Sequence, residues 1–159
     1  MSIREFIDRD AREPMDNAQF DDALWLALCE RVSDPESLGA LPHEVGVYYA
    51  TRLVEWDVGN GGFAQATMNY PEWFDLAAAG FEELGKPAVA SLIREAKALV
   101  SLEAENMAKA REGGLEGVFD YFKENAFDSL NERIEEVDFW SDDTRVAYVR
   151  QHRDAFRID

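Results

Sequence analysis

The sequence predicts an all-α fold, built as a single domain over residues 1–159 with eight or nine helices. Apolar residues recur at intervals of three and four along almost the whole chain, which is the period of an amphipathic helix. No segment alternates β-branched and polar residues as a half-buried strand does. Glycine and proline lie between the periodic segments, where helices begin and end. A hydrophobic content of 47% in 159 residues supplies enough material for one core.

Helix-start and helix-stop signals divide the chain into its predicted elements. Ser2 and Glu5 form a capping box at the start of a first short helix, which Pro14 ends. Residues 33–41, rich in Ser, Asp, Pro and Gly, are predicted to be a loop. The other predicted helices span residues 17–32, 42 to the glycines at 59–62, 63–69, 71–84, 87–111, 115–123, 128–137 and 142–156.

The apolar stripes of these helices predict which side chains are buried. Trp56 belongs to the stripe of the helix that begins at Pro42, and Leu76 to the stripe of the helix after Pro71. Leu115 and Phe119 are assigned with Val118 and Phe122 to a buried face opposite the acidic residues of the same helix. Cys29 is the single cysteine; it lies among apolar residues and is predicted to be a small core side chain.

The charge of the chain restricts its function. Thirty-three acidic against sixteen basic residues give a net charge of −17. Such a protein is repelled by nucleic acid and by anionic membranes, so we expect neither as a direct partner. The charge favours either high solubility or a basic partner. The charged N-terminal stretch, the absence of a membrane-length apolar run and the single cysteine together predict a cytoplasmic protein.

Signatures of catalysis and of metal binding are absent. The two histidines, His43 and His152, are far apart in sequence, and His43 is predicted to be exposed in a first helical turn. No HExxH, CxxC, calcium-loop, phosphate-loop or GxSxG motif is present. With 33 acidic residues, close carboxylate pairs arise by chance and identify nothing. We therefore expect no metal, no cofactor and no enzymatic activity.

One local motif stands out, and it permits two interpretations. Its residues are Asn60, Gly61, Gly62, Phe63, Gln65 and Asn69. The paired glycines allow a positive φ, Asn60 is expected to cap the freed backbone groups, and Phe63 is expected to anchor the turn in the core. Gln65 and Asn69 share one face of a helix, where they either bind a ligand or satisfy neighbouring polar groups. We favour the structural interpretation, since a buried turn needs such hydrogen bonds.

The stretch of residues 48–69, with its NGGFxQxxxN pattern, resembles a family annotated mainly as a domain of unknown function. The best-understood type in that family is a DNA mimic that occupies the DNA-binding surface of a helix-turn-helix transcription factor. The resemblance extends more loosely through residues 74–85, 127–130 and 148–152. Gly59 stands where another asparagine is usual, and Ala66 where an aromatic residue is common. The resemblance implies a basic helix-turn-helix regulator as the partner.

A second observation, independent of that resemblance, is a row of acidic residues. Residues 116–143 contain ten acidic and only two basic side chains. Six acids follow one another at intervals of four, which is about 6 Å along a helix. Phosphates rise about 3.4 Å along the DNA axis and lie about 6–7 Å apart along the winding strand. The candidate partner-binding residues are Glu116, Asp120, Glu124, Asp128, Glu132, Glu135, Glu136 and Asp138.

The interpretation of this row stays open at the level of sequence. The helix is expected to break near residues 125–128, and the same acids also fit an ordinary solvated face. In the last helix, Arg150, Arg153 and Arg157 share a stripe that pairs with acids of the same chain or across a homodimer; we favour the former. The leading hypothesis is a DNA-mimic-like regulator. The alternatives are a small-ligand binder or enzyme that uses residues 60–69, and an immunity-type protein that neutralises a basic toxin.

Overall fold

The computed structural model describes residues 1–159 and contains nine α-helices but no strand, which confirms the predicted all-α fold. The helices are α1 (Ile3–Arg12), α2 (Asn17–Cys29), α3 (Pro35–Gly39), α4 (His43–Asn69), α5 (Phe74–Glu83), α6 (Pro87–Glu112), α7 (Gly114–Lys123), α8 (Asp128–Glu135) and α9 (Asp142–Gln151). Two 3₁₀ helices, Pro71–Trp73 and Arg153–Phe156, precede α5 and follow α9.

Helix α4 lies at the centre of the molecule, in contact with α3, α5, α6, α7, α8, α9 and both 3₁₀ helices. It is interrupted at Gly61 (φ −148°, ψ 16°) and Gly62 (φ 75°, ψ −177°), so it consists of two helical segments. This break is the boundary that the paired glycines predict. Phe63 directly follows it and is fully buried, as expected for the residue that anchors the turn.

The core is one cluster of 36 buried apolar residues that draws on nearly every helix. Fully buried aromatic side chains dominate it, and each stabilises the fold by about 1.5–3 kcal/mol through the apolar area removed from water. The largest are Phe20, Tyr48, Phe63, Phe74, Phe81, Phe127 and Phe156. Because they come from both ends and the middle of the chain, the core joins the whole sequence into one packed unit.

Two short segments differ from the sequence prediction. Residues 33–41 were expected to be a loop, but they contain α3, which begins with Asp34 as its N-cap. The Asp34 carboxylate accepts from the Ser37 backbone N–H at 2.7 Å, and this capping box stabilises a single turn. Helix α2 ends at Cys29 rather than near residue 32. Cys29 therefore lies at a helix end and is exposed, and the prediction that it is a core residue is wrong.

The predicted stripes of α4 and α5 are buried apart from one residue in each, whereas α7 exposes two of the four side chains assigned to its buried face. Leu115 and Phe119 in α7 are 78% and 61% exposed. The cause is a close approach of backbones, because a Cβ on Gly117 would lie 2.5 Å from the Ala110 carbonyl oxygen of α6. Gly117 therefore sets which side of α7 faces α6. Trp56 in α4 and Leu76 in α5 are exposed as well.

The arginine stripe of the last helix forms intrachain ion pairs with α1, as predicted. Asp10 is buried and its carboxylate accepts from Arg150 at 3.0 Å and from Arg153 at 3.3 Å. Asp8 pairs with Arg157 at 2.8 Å near the surface. Burial acts to raise the pKa of Asp10, but the hydrogen bonds from Arg150 and from the backbone of Met15 outweigh it, and the pKa lies below its ordinary value.

We expect Gly62→Ala to destabilise the protein more than Gly85→Ala. Both glycines have a positive φ, which strains an L-residue. With ψ at −177°, Gly62 also lies in a region that is essentially restricted to glycine. Only at Gly62 would the added Cβ also meet a side chain, the Asn131 amide at 2.8 Å, whereas Gly85 has open space. Chemical denaturation measures both variants. Equal losses would contradict the close contact between the turn and Asn131.

We expect Asp10→Asn to lower the free energy of unfolding by about 2–4 kcal/mol at neutral pH, because it removes the buried charge that pairs with the partly buried Arg150 and Arg153. Asp8→Asn, a change at an exposed pair, should cost less than about 1 kcal/mol. Since the folded-state pKa of Asp10 is lowered, its contribution is present above the ordinary value of 3.8 and is lost as the pH falls through the folded pKa. Denaturation across acid pH should show the wild type and Asp10→Asn converging; a constant difference would contradict this.

Candidate functional site

The acidic residues singled out in the sequence lie on α7, on α8 and on the segments that follow each helix. Seven of the eight are exposed: Glu116, Asp120, Glu124, Glu132, Glu135, Glu136 and Asp138. Asp128 is partly buried, and its carboxylate accepts from the Asn125 backbone N–H at 3.1 Å. Asp128 therefore has a local structural role at the start of α8. We call the seven exposed residues the acidic surface.

The acidic surface does not form one straight row. Helix α7 ends at Lys123, and Glu124 has extended backbone angles (φ −155°, ψ 119°). The Asn125 side chain then accepts from the Phe127 backbone N–H at 2.9 Å, and Phe127 is fully buried. This turn ends α7 and directs the chain into α8, which confirms the break expected near residues 125–128. Carboxylates at four-residue spacing thus lie on two separate helices.

Residues 116–143 contain two basic side chains, Lys123 in α7 and Arg133 in α8, and both form ion pairs. Lys123 pairs with Asp120 one turn earlier at 2.5 Å. Arg133 forms a bidentate pair with Glu95 of α6, at 2.6 and 2.9 Å, and so neutralises an acid outside the acidic surface. Asp138 pairs with Lys86 at 3.1 Å.

The remaining acids of the surface make no ion pair and accept no side-chain hydrogen bond from the protein. They are Glu116, Glu124, Glu132, Glu135 and Glu136. Five exposed carboxylates on consecutive elements therefore retain their full hydrogen-bonding capacity. Leu115 and Phe119 are exposed on the same helix as Glu116, so apolar area accompanies the charge.

The glycine turn of α4 connects this surface to the core. The Phe63 backbone N–H donates to the Asn131 side chain of α8 at 2.8 Å. Asn131 thus satisfies the freed backbone group, whereas the Asn60 side chain is exposed and makes no hydrogen bond. The expectation that Asn60 caps this turn is wrong, because the cap comes from a residue 68 positions away.

Gln65 and Asn69 both contact one buried carboxylate. The Gln65 amide donates to Asp57 Oδ1 at 3.0 Å, and the Asn69 amide donates to Asp57 Oδ2 at 3.1 Å. Asp57 lies on the other side of the glycine break in the same helix. The two amides therefore hold the segments of α4 together.

A cluster of buried charges, which sequence reasoning missed, lies next to this turn. Arg145 of α9 is only 1% exposed, and it donates to Glu55 at 2.7 Å and to Asp142 at 2.6 Å. Beside it, Arg52 donates to Asp21 at 2.5 Å. Burial raises the pKa of Glu55, and the hydrogen bond from Arg145 opposes that shift. The signal in the sequence is that Arg52 and Glu55 lie among apolar residues of α4.

A cavity of about 520 Å³ opens between the glycine turn and α8. The turn forms one wall, while Glu135 and Trp140 contribute to the other. Trp140 is 62% exposed. Its indole rests against the backbone of Gly59, where an added Cβ would lie 2.5 Å from the ring.

The two histidines are separated in the structure as well. His43 is exposed and contacts Glu83 at 2.6 Å, and the ring of His152 packs against Tyr148. No group of three or more His, Cys, Asp or Glu residues is arranged to hold a metal ion. None of the nine helices combines the length and the apolar character needed to cross a membrane.

The fold and the acidic surface together define an acidic, all-helical protein. Five carboxylates of that surface have no ion-pair partner. The chain belongs to the DMP19-like protein family, whose model matches residues 39–152. The match includes the glycine turn of α4 and the whole acidic surface, and it confirms the family resemblance that the NGGFxQxxxN pattern indicates. Comparison with curated proteins and with solved structures gave no match.

We expect Arg145→Met to destabilise the protein by about 3–5 kcal/mol, because Glu55 would remain buried without its cation. Arg133→Met removes the same charge from a half-exposed pair and should cost less than about 1 kcal/mol. Thermal and chemical denaturation measure the two variants side by side. If they lose the same stability, the buried cluster does not hold α9 to α4.

Proposed function

We propose that this protein binds a basic DNA-binding protein through its acidic surface, in place of DNA, and thereby regulates it. The observation that supports this proposal is the group of five exposed carboxylates that no side chain of the protein neutralises. Arginine and lysine side chains that grip phosphates also form strong, charge-assisted hydrogen bonds with carboxylates. We propose a helix-turn-helix regulator as the partner and a cytoplasmic location for the encounter.

The geometry of the acidic surface supports mimicry of a curved rather than a straight strand. Phosphates wind around a DNA duplex, so a protein that replaces them needs carboxylates that follow a bend. The turn between α7 and α8 supplies such a bend. The net charge of −17 adds long-range attraction, which steers a basic partner toward the protein and speeds association.

Apolar area at the same place favours a specific contact over diffuse attraction. Leu115 and Phe119 project from α7 beside its acids. Interfaces combine aromatic and apolar contacts at their centre with charged groups at the rim. A partner that covers α7 would bury both side chains while its basic residues meet the carboxylates.

The other functional classes receive less support. The Gln65 and Asn69 amides are engaged with Asp57, so a ligand-binding site or an active site on residues 60–69 would lack them. We therefore propose a non-enzymatic role. A basic toxin has the same electrostatic attraction to this surface, and competition by DNA separates the two partners.

We expect neutralisation of Glu116, Glu124, Glu132 and Glu136 to glutamine to weaken partner binding by at least about tenfold, since each lost charge removes a contact of about 0.5 kcal/mol or more. Isothermal titration calorimetry measures the affinity for the partner in the absence and in the presence of double-stranded DNA. DNA should compete with the wild type. Binding should also weaken steeply with rising salt, because exposed charges are screened over about 8–10 Å.

The matched control neutralises four exposed glutamates elsewhere that also lack side-chain partners, namely Glu13, Glu30, Glu72 and Glu105. Both variants lose the same net charge, and neither loses a hydrogen bond that stabilises the fold. Equal weakening in the two variants would show that only total charge matters and would contradict a defined binding surface. A partner that binds unchanged in the presence of excess DNA would contradict mimicry.

A further inference from the structure

The cavity between the glycine turn and α8 borders the acidic surface and shares Glu135 with it. Its volume of about 520 Å³ is within the range of sites that enclose a small ligand or a large side chain. One wall is backbone, formed by residues 59–62 of α4. The opposite wall is formed by α8 and the segment that follows it, ending at Trp140. The cavity is thus open to whatever contacts the acidic surface.

Trp140 is exposed yet held in place. Its indole lies against Gly59, and any side chain at that position would collide with the ring. The backbone around it is fixed by Lys86, whose ammonium group donates to the carbonyls of Asp138 and Trp140 at 2.9 and 2.7 Å. The preceding residue, Phe139, is buried in the core. An aromatic ring presented in a fixed pose needs little ordering when it binds a ligand.

The electrostatics of the cavity select a cation. Glu135 is the one charged side chain that lines it, and it has no ion-pair partner. The Asn60 side chain, which also lines the cavity, makes no hydrogen bond within the protein.

We propose that this cavity receives an arginine side chain of the partner, with its guanidinium on the Trp140 indole and its N–H groups directed to Glu135. Arginine fits better than lysine because its planar group stacks on an aromatic face and also pairs with a carboxylate. This inference rests on the proposed function, because it identifies one anchoring contact of the same partner. The missing Cβ at Gly59 makes room for the indole.

The test uses the full chain and short acetylated peptides Gly-X-Gly, in which X is arginine, lysine or citrulline. Citrulline keeps the shape of arginine and removes its charge. Nitrogen-15 NMR follows the four tryptophan indole N–H signals, and Trp140→Phe identifies the one from Trp140. We expect the arginine peptide to shift the Trp140 signal saturably, and to bind at least about threefold more tightly than the lysine or citrulline peptide.

A pair of single variants on α8 tests the carboxylate. Glu135→Gln should weaken binding of the arginine peptide by about fivefold, as expected for an ion pair in a partly enclosed site. Glu132→Gln, the same change one turn away outside the cavity, should alter it by less than about twofold. Both side chains are exposed, so folding should be unaffected, and melting curves check this.

Three outcomes would overturn the arginine site: equal shifts with citrulline, equal or tighter binding of lysine, or equal effects of the two α8 variants. The four-glutamate variant described above leaves Glu135 in place. If DNA fails to compete with the wild type for the partner while the arginine peptide still binds, the proposed function alone is contradicted. Intact competition without arginine binding would contradict the cavity proposal alone.

Discussion

The burial of charged side chains along α4 is the constraint on which the rest of the fold depends. Between Val47 and Val58 every residue of this central helix except Trp56 is buried, so Arg52 and Glu55 need partners from other elements. Arg52 receives its partner from α2, and Glu55 receives its partner from α9. A buried charge without a partner costs several kcal/mol, so these pairs fix the positions of α2 and α9 as well as their contacts. The helices packed on α4 are thereby held in one arrangement.

The acids of this protein divide into two groups with different roles. Asp10, Asp21, Glu55 and Asp57 are buried, and each accepts hydrogen bonds from other side chains; only the partners of Asp57 lie in the same helix. The glutamates of α7 and α8 have no such partners. Counting charges in the sequence combines the two groups, whereas only the second is free to meet another molecule.

The sequence predicted the helices well because their boundaries depend on local chemistry. Proline, glycine and capping residues act within one turn, so the break at Gly61–Gly62 and the cap at Ser2 were visible in the sequence. Features that depend on distant residues were not. The exposure of Phe119 follows from the contact of Gly117 with α6, and the cap of the glycine turn comes from Asn131. The acidic surface was found because glutamate is normally exposed. The cavity beside Trp140 was missed because its walls come from separate parts of the sequence.

The packing of α7 has a consequence for its motion. No side chain of this helix is fully buried, although Gly117 approaches Ala110 of α6 closely and the Tyr121 hydroxyl donates to Glu103 of α6. Helices with so little buried area open at a small free-energy cost and exchange their amide hydrogens faster than the core around α4. A partner that binds α7 would slow this exchange and would order the helix at the same time. Part of the binding free energy is then used to rigidify α7. Substitutions that raise the intrinsic helicity of α7, at positions that do not contact the partner, should therefore increase affinity.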